Sequence, residues 1–411
     1  MRILIATWHR NLVGGTEKYV HSLLPALVNR GHEVSLIHEV PVDHTLETID
    51  LSDSALVTWC LEELGLEALM RAVAQWKPDI VYSQGLGDAE LDDALLDNYP
   101  TALFAHAYYG TCATGSKSHA FPQLRPCKRR FGPACLLLHY PRRCGGLSPL
   151  TMWRTYRRQV KQGSRLPDYP AVLVASTHMY HEFLRHGVRS EQLHLVPHAA
   201  NQDPHAEPPE PRIPQGRILL IARLTAIKGG HYLVQAISKA SMRLGRALTL
   251  TIAGDGPERH SIEGLASRLH VGVEFTGWVN TREIMGLLRA TDVLAVPSLW
   301  PEPFGLVGLE AACIGVPAIG YAVGGIPDWL IPGETGELAP GDPPTVEGMA
   351  DAIVRAFGDT KHYADLCRGA WQHSKRLTMD AHLSKLELCL DSVASNPQQC
   401  VVTAAEHQVN P

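Results

Sequence analysis

Between Asn98 and Pro167 the chain has no aspartate or glutamate, although 42 acidic residues lie elsewhere in its 411. That stretch holds twelve lysines and arginines, which leaves 25 basic against 42 acidic residues in the remainder. The formal net charge of -5 therefore hides a basic segment set in an acidic protein. Other absences narrow the field. No apolar run approaches the ~20 residues of a membrane-spanning helix. The dinucleotide fingerprint G-x-G-x-x-G is missing. Nine cysteines include no C-x₂₋₄-C pair, the usual mark of a zinc knuckle. The segment HEFLRH places His181 and His186 one residue too far apart for a zinc-protease helix, roughly 140° around the axis. The first residues, MRILIATWHR, offer no small-residue cleavage site, so no secretory signal is expected. An odd cysteine count without such a signal fits a reducing cytoplasm.

What is present is alternation. Short apolar runs at 2–7, 33–38, 79–83, 101–106, 171–176 and 193–197 read as strands separated by helical patterns. A helix is expected over 16–30, with Thr16 as N-cap and Gly31 as stop. Five prolines between 204 and 214 then make a stiff linker. After it the pattern restarts at 217–222, 247–254, 273–277, 292–297 and 317–321. The expected organisation is an N-terminal domain over 1–200 with an insertion at about 107–165, a linker at 201–216, a C-terminal domain over 217–375, and a helix with a mobile tail over 376–411. The fold class is α/β: two doubly wound parallel sheets facing a cleft, which bind ligands at strand carboxyl ends.

Three loops at strand ends carry chemistry. In HRNLVGGTEKY, Gly14 and Gly15 allow close approach of the backbone, and the following helix offers free N–H groups to an anion. A plain tight turn would read the same way. In IARLTAIKGG, Arg223 and Lys228 leave a strand end before a double glycine, a place where a diphosphate could sit; solvated loop cations are the plainer reading. In PSLWPEPFGLVGLE, Glu302 and Glu310 stand eight apart with no polar residue from Phe304 to Leu309. Pro303 suits a first helical turn, so the amides of Phe304, Gly305 and Leu306 would point at an anion. The carboxylates themselves would repel phosphate and suit paired hydroxyls.

Together these loops resemble the family-4 retaining glycosyltransferases of the GT-B fold, over residues 1 to about 375. The match rests on the paired Glu302 and Glu310, on Arg223 and Lys228, on the GG-T-E loop, and on AGDGPE (253–258) and FTGWV (275–279). The resemblance implies that Arg223 and Lys228 hold the diphosphate of a nucleotide sugar, on UDP or GDP. It gives the ribose to Glu310 and the donor sugar to Glu302. The amides of Phe304, Gly305 and Leu306 would complete the site, and the backbone around Trp278 and Val279 would meet the base. Many other glycosyltransferases use a metal on an Asp-x-Asp pair; no two aspartates here lie two apart, and the cations would replace the metal. No resident cofactor is expected. Family members carry a histidine where His106 stands, touching the donor sugar, although Ala107 follows where many have Asp. A buried structural histidine is the alternative. The resemblance also implies transfer by a front-face route, and a helix beyond about 375 returning to the N-terminal domain.

The expected acceptor is a carbohydrate or a lipid-linked glycan of the cell envelope, with no nucleic-acid partner. Ten cations, among them Arg129, Arg130, Arg142 and Arg143, suggest an anionic acceptor or a peripheral contact with an anionic membrane. Solvated surface charge is the plain alternative. Rival readings are a nucleotide-sugar epimerase or hydrolase on the same fold, and a non-catalytic metal-binding scaffold using Cys112, Cys127, Cys135 and Cys144. Those four cysteines read first as free thiols in a lid-like insertion, with metal and disulfide alternatives open.

Overall fold

The computed structural model describes residues 1–50, 56–199, 210 and 213–395. Most of the proline-rich linker and all of the tail from 396 lie outside that range. The first sheet has seven parallel strands: β1 (Arg2–Thr7), β2 (Glu33–His38), β3 (Thr58–Cys60), β4 (Ile80–Ser83), β5 (Thr101–Ala105), β6 (Ala171–Val174) and β7 (Leu193–Leu195). Their spatial order is β3-β2-β1-β4-β5-β6-β7. The second sheet holds β8 (Arg217–Ile221), β9 (Thr249–Ala253), β10 (Gly272–Gly277), β11 (Val293–Val296), β12 (Ala318–Tyr321) and β13 (Gly336–Ala339), ordered β10-β9-β8-β11-β12-β13. In both sheets the order of strand addition reverses beside the first strand. Each therefore opens a crevice at its carboxyl edge, and the chemically marked loops follow β1, β4, β5, β8 and β11.

These strands were legible because helices cover both sheet faces. Ile3 to Ala6 and Val293 to Leu294 are fully buried, so no polar alternation is needed. Of the strands in these two sheets, β3 and β13 escape the sequence reading. Both are sheet edges, and Thr-Trp-Cys and Gly-Glu-Leu-Ala lack a continuous apolar run.

Seven helices matter for the site and its surroundings: α1 (Gly15–Asn29), α2 (Ala134–Arg142), α3 (Pro149–Arg165), α4 (Thr177–Arg185), α5 (Gly230–Leu244), α6 (Leu306–Ala312) and α7 (Met379–Ser395). Helix α1 is entered from Gly14 in extended backbone with no side-chain cap, so Thr16 lies inside the first turn. The expected start at Pro303 is corrected: α6 begins at Leu306, behind Gly305 at φ 98. That left-handed backbone is one few side chains tolerate. The Trp329 indole fixes the bend by donating to the Phe304 carbonyl at 2.6 Å.

Helix α7 packs on the N-terminal half. His382 on α7 donates from Nδ1 to the Pro197 carbonyl at 2.8 Å, so its Nε2 accepts from Tyr19 Oη at 2.9 Å. Glu387 pairs with Arg30 at 3.0 Å. No helix among the described residues is long and apolar enough to cross a membrane.

Candidate active site

The interdomain cleft holds a cavity of about 310 Å³. From the N-terminal side Gly15, Thr16, His106 and His198 line it; from the C-terminal side come Lys228, Glu302, Phe304, Gly305 and Leu306. The fold thus brings most of the predicted residues to one place. Lys228 ends a 3₁₀ turn, and Gly229 follows at φ +71. A Cβ at Gly229 would stand 1.9 Å from the Pro297 carbonyl oxygen, so only glycine lets this loop lie against the end of β11. The backbone amide of Leu299 then donates to the Ile227 carbonyl at 2.8 Å, locking the two loops together.

The result is a contact that 74 residues of separation had hidden. Lys228 Nζ donates to Glu302 Oε1 at 2.6 Å. Ser298 Oγ and Trp300 Nε1 donate to the same oxygen at 2.5 and 2.8 Å. Lys228 also lies 5.2 Å from the Trp300 ring centroid. Glu302 is almost wholly buried, and these charge-assisted donors are what make its burial tolerable.

Other predicted residues sit at the margins. Arg223 is exposed beyond Ala222, a cavity-lining residue, and has no ion-pair partner among the described residues. Gly14 stands just outside the lining, at the cap of α1. Val279 packs on the core behind the exposed Trp278. Glu310 lies four residues into α6 and faces a second, wider cavity of about 670 Å³, shared with Thr281, Ile284 and Lys18. Burial raises its pKa, and the nearby Lys18 partly opposes that. Leu306 lines both spaces, so Glu302 and Glu310 face neighbouring cavities on either side of it.

On the N-terminal side, His106 Nε2 donates to Gln84 Oε1 at 2.8 Å, which leaves Nδ1 unprotonated. Burial, with His382 adding repulsion, holds His106 down to about 3, so the ring is neutral at any physiological pH. His198 stacks on it at 5.5 Å and 10°, and is also driven well below its usual value by burial. Burial lowers His382 too. His106 opens onto a third cavity, of about 130 Å³, lined also by Glu17, Gln84, Tyr109 and Gln162. Burial raises the Glu17 pKa there. The sequence reading gave no place to Gln84, Ser298, Trp300 or His198, and it took Glu17 only as part of the GG-T-E loop. Glu17 had one available signal, as the sole acid in the first glycine loop.

The histidine trio sets a pH dependence for stability. Each folded-state value lies below the ordinary 6.5, so the unfolded chain binds more protons beneath that pH. The stabilisation is fully present above about 6.5 and fades as pH falls toward 3. Thermal melts should drop steadily between pH 6.5 and 5, and His198→Leu should flatten that slope. An equal slope in the variant would take His198 out of the account.

The four cysteines of the insertion are free thiols; burial raises the pKa values of Cys135 and Cys144, and the neighbouring Cys112 and Cys127 add to both shifts. Burial and its neighbours push Cys144 up to about 11. Among the described residues no group of three or more side chains is placed to hold a metal.

Two doubly wound domains meet at a cleft in the architecture of the GT-B fold, with Lys228 and Glu302 at the carboxyl edge of the second sheet. Residues 13–203 match the family described as Glycosyltransferase Family 4, and residues 204–372 match Glycosyl transferases group 1. The chain belongs to this glycosyltransferase family. It is 25% identical to glycogen synthase of Mycobacterium tuberculosis over 432 aligned residues, covering 92% of this chain and 91% of that one. It is 32% identical to D-inositol 3-phosphate glycosyltransferase of Corynebacterium diphtheriae, over 41% of this chain and 40% of that protein. Among solved structures it resembles sucrose-phosphate synthase of Thermosynechococcus elongatus with a TM-score of 0.69 at 21% identity, covering 96% and 99% of the two chains. It resembles Anabaena HepE in complex with UDP and glucose with a TM-score of 0.68 at 17% identity, covering 95% and 100%.

Proposed function

We propose that the protein transfers a sugar, with retention at the anomeric carbon and without a metal, from a UDP- or GDP-sugar to a carbohydrate or lipid-linked acceptor of envelope or polysaccharide synthesis. A reducing cytoplasm is the compartment this reading assigns, from the odd cysteine count. The supporting observation is the meeting of Lys228, Glu302 and the N-terminal end of α6 with His106 in one cleft.

The donor diphosphate takes charge from Arg223 and Lys228, and the free amides of Leu306 and Val307 add the positive end of α6. Glu302, already oriented by three donors, accepts from sugar hydroxyls. Glu310 accepts from the ribose in the neighbouring cavity. The acceptor enters through the space beside Glu17 and Gln84. As the anomeric C–O bond to phosphate breaks, its electron pair leaves with the diphosphate. The acceptor oxygen bonds on the same face, and its proton passes to the departing phosphate oxygen. An epimerase would use the same diphosphate site. Donor incubated alone separates the two: a transferase yields slow hydrolysis at most, and an isomer would mark the epimerase.

The test is a thermal-shift series with UDP, GDP and ADP. One of them should stabilise, by about 2.7 kcal/mol at a hundred times its Kd. Glu310→Ala should weaken that nucleotide by about 1–3 kcal/mol with little change in kcat, because a ribose contact serves ground and transition states alike. If none of the three shifts the melt, the donor assignment fails. Collapsed turnover with normal nucleotide affinity would remove Glu310 from the ribose.

A further inference from the structure

We propose that the acid-free insertion is a docking surface for an anionic phospholipid bilayer. The inference rests on charge and exposure, and stands independently of the donor chemistry.

Nine of the twelve cations fall into two groups, and the other three, Arg125, Arg142 and Arg158, are half-buried. Lys117 pairs with Glu182, Lys128 with Asp342, and Lys161 and Arg165 with Asp93 on the domain body. These are solvated or structural charges with partners of their own. Arg129, Arg130, Arg143, Arg154 and Arg157 are exposed and have no ion-pair partner among the described residues. No acid inside the segment balances them.

The same elements also expose large apolar side chains. Leu137 on α2 is 80% exposed and Leu147, before the Ser148 cap of α3, is 81% exposed. Leu150 and Trp153 follow on α3, at 57% and 48%. Their spacing decides the matter. Leu150, Trp153, Arg154 and Arg157 recur at three- and four-residue steps, so leucine, tryptophan and two arginines share one helix face. Tyr156 and Gln159 are buried on the other side. The Phe131 ring packs on Tyr156 at 5.2 Å, which brings the Arg129–Arg130 corner against the same helix.

A face of unpaired arginines interleaved with exposed leucine and tryptophan suits a surface that is anionic outside and apolar just beneath. A soluble anionic glycan would meet the arginines and leave the leucines in water. The position is also informative. Gln162 and Leu166, at the far end of α3, line the acceptor-side cavity beside His106. A bilayer docked on α3 would lie close to that cavity, where a lipid-linked acceptor could enter without leaving the membrane.

The experiment is co-sedimentation of the full chain with phosphatidylglycerol–phosphatidylcholine vesicles and with phosphatidylcholine alone, at low and high salt. Binding is expected to the anionic vesicles only, and to weaken with salt. Replacing Arg129, Arg130, Arg154 and Arg157 by Ser should weaken partition about fivefold per cation. Replacing Leu147, Leu150 and Trp153 by Ser should weaken it about tenfold with the charges intact. Unchanged melting temperatures certify the folds; should a multiple variant fail that check, Arg154→Ser and Leu147→Ser singly carry the same readouts. Absence of binding, or equal partition into neutral vesicles, overturns the proposal. So does an apolar variant that binds as the parent does, which would point to a soluble polyanion.

Discussion

Arg223→Ala should lower turnover about 10²–10³-fold with the fold intact, the loss typical of removing one preorganised donor to developing negative charge. The two cations after β8 differ in a way their spacing did not reveal. Lys228 is already committed at 2.6 Å to Glu302, so part of its charge is spent inside the protein before any donor arrives. Arg223 is exposed, with no ion-pair partner among the described residues, and its full charge remains available to a diphosphate. Its removal also leaves no buried carboxylate behind, so the effect should appear in kcat and not in stability. Arg223→Lys should recover only part of the rate, since an ammonium cannot reproduce a planar two-pronged contact. Steady-state kinetics against donor concentration decide it. Unchanged kinetics in Arg223→Ala would take this residue out of the diphosphate site and leave Lys228 alone there.

How far the sequence speaks is itself explained by geometry. The two sheets were readable because parallel strands buried on both faces, such as Ile3–Ala6, are apolar without interruption. The edge strands β3 and β13 were not, since an edge needs no such run. The start of α6 was misread because Pro303 looks like a first-turn residue, while the left-handed Gly305 resets the chain three residues later. Lys228, Glu302 and Glu310 were legible as special residues, but their relations were not. A 74-residue gap carries no local trace of a 2.6 Å bond. Glu302 and Glu310, one motif in the sequence, line different cavities. Gln84 orients His106, and Ser298 and Trp300 orient Glu302, and such relations exist only once the chain is folded. The basic stretch was visible as composition; which of its charges are spent on Asp93, Asp342 and Glu182 was not.

Among stability effects, the largest is expected at Glu182, inside the HEFLRH segment that fails as a zinc motif. Glu182 on α4 and Lys117 in the insertion form an ion pair in which both side chains are only 2% exposed. Lys117 Nζ further donates to the Thr111 carbonyl at 3.1 Å and to the Arg129 carbonyl at 2.7 Å. The ammonium therefore ties two turns of the insertion to each other and to the domain body. Glu182 also meets Arg185 at 3.2 Å. Glu182→Ala leaves a buried ammonium without its counter-charge, a change that costs about 3–5 kcal/mol. For a domain of this size that lowers the melting temperature by roughly 6–20 °C. Replacing both partners, as Lys117→Met with Glu182→Leu, removes the uncompensated charge and should recover much of the loss. Recovery should stop short of complete, because the Thr111 and Arg129 carbonyls lose the donor that Lys117 supplied. Limited proteolysis localises the effect. Glu182→Ala should expose the insertion to cleavage while the C-terminal domain stays resistant and still responds to nucleotide. A melt unchanged within a degree or so would show that the pair is wetter than its burial implies, and that the insertion is held by its ring contacts and hydrogen bonds instead.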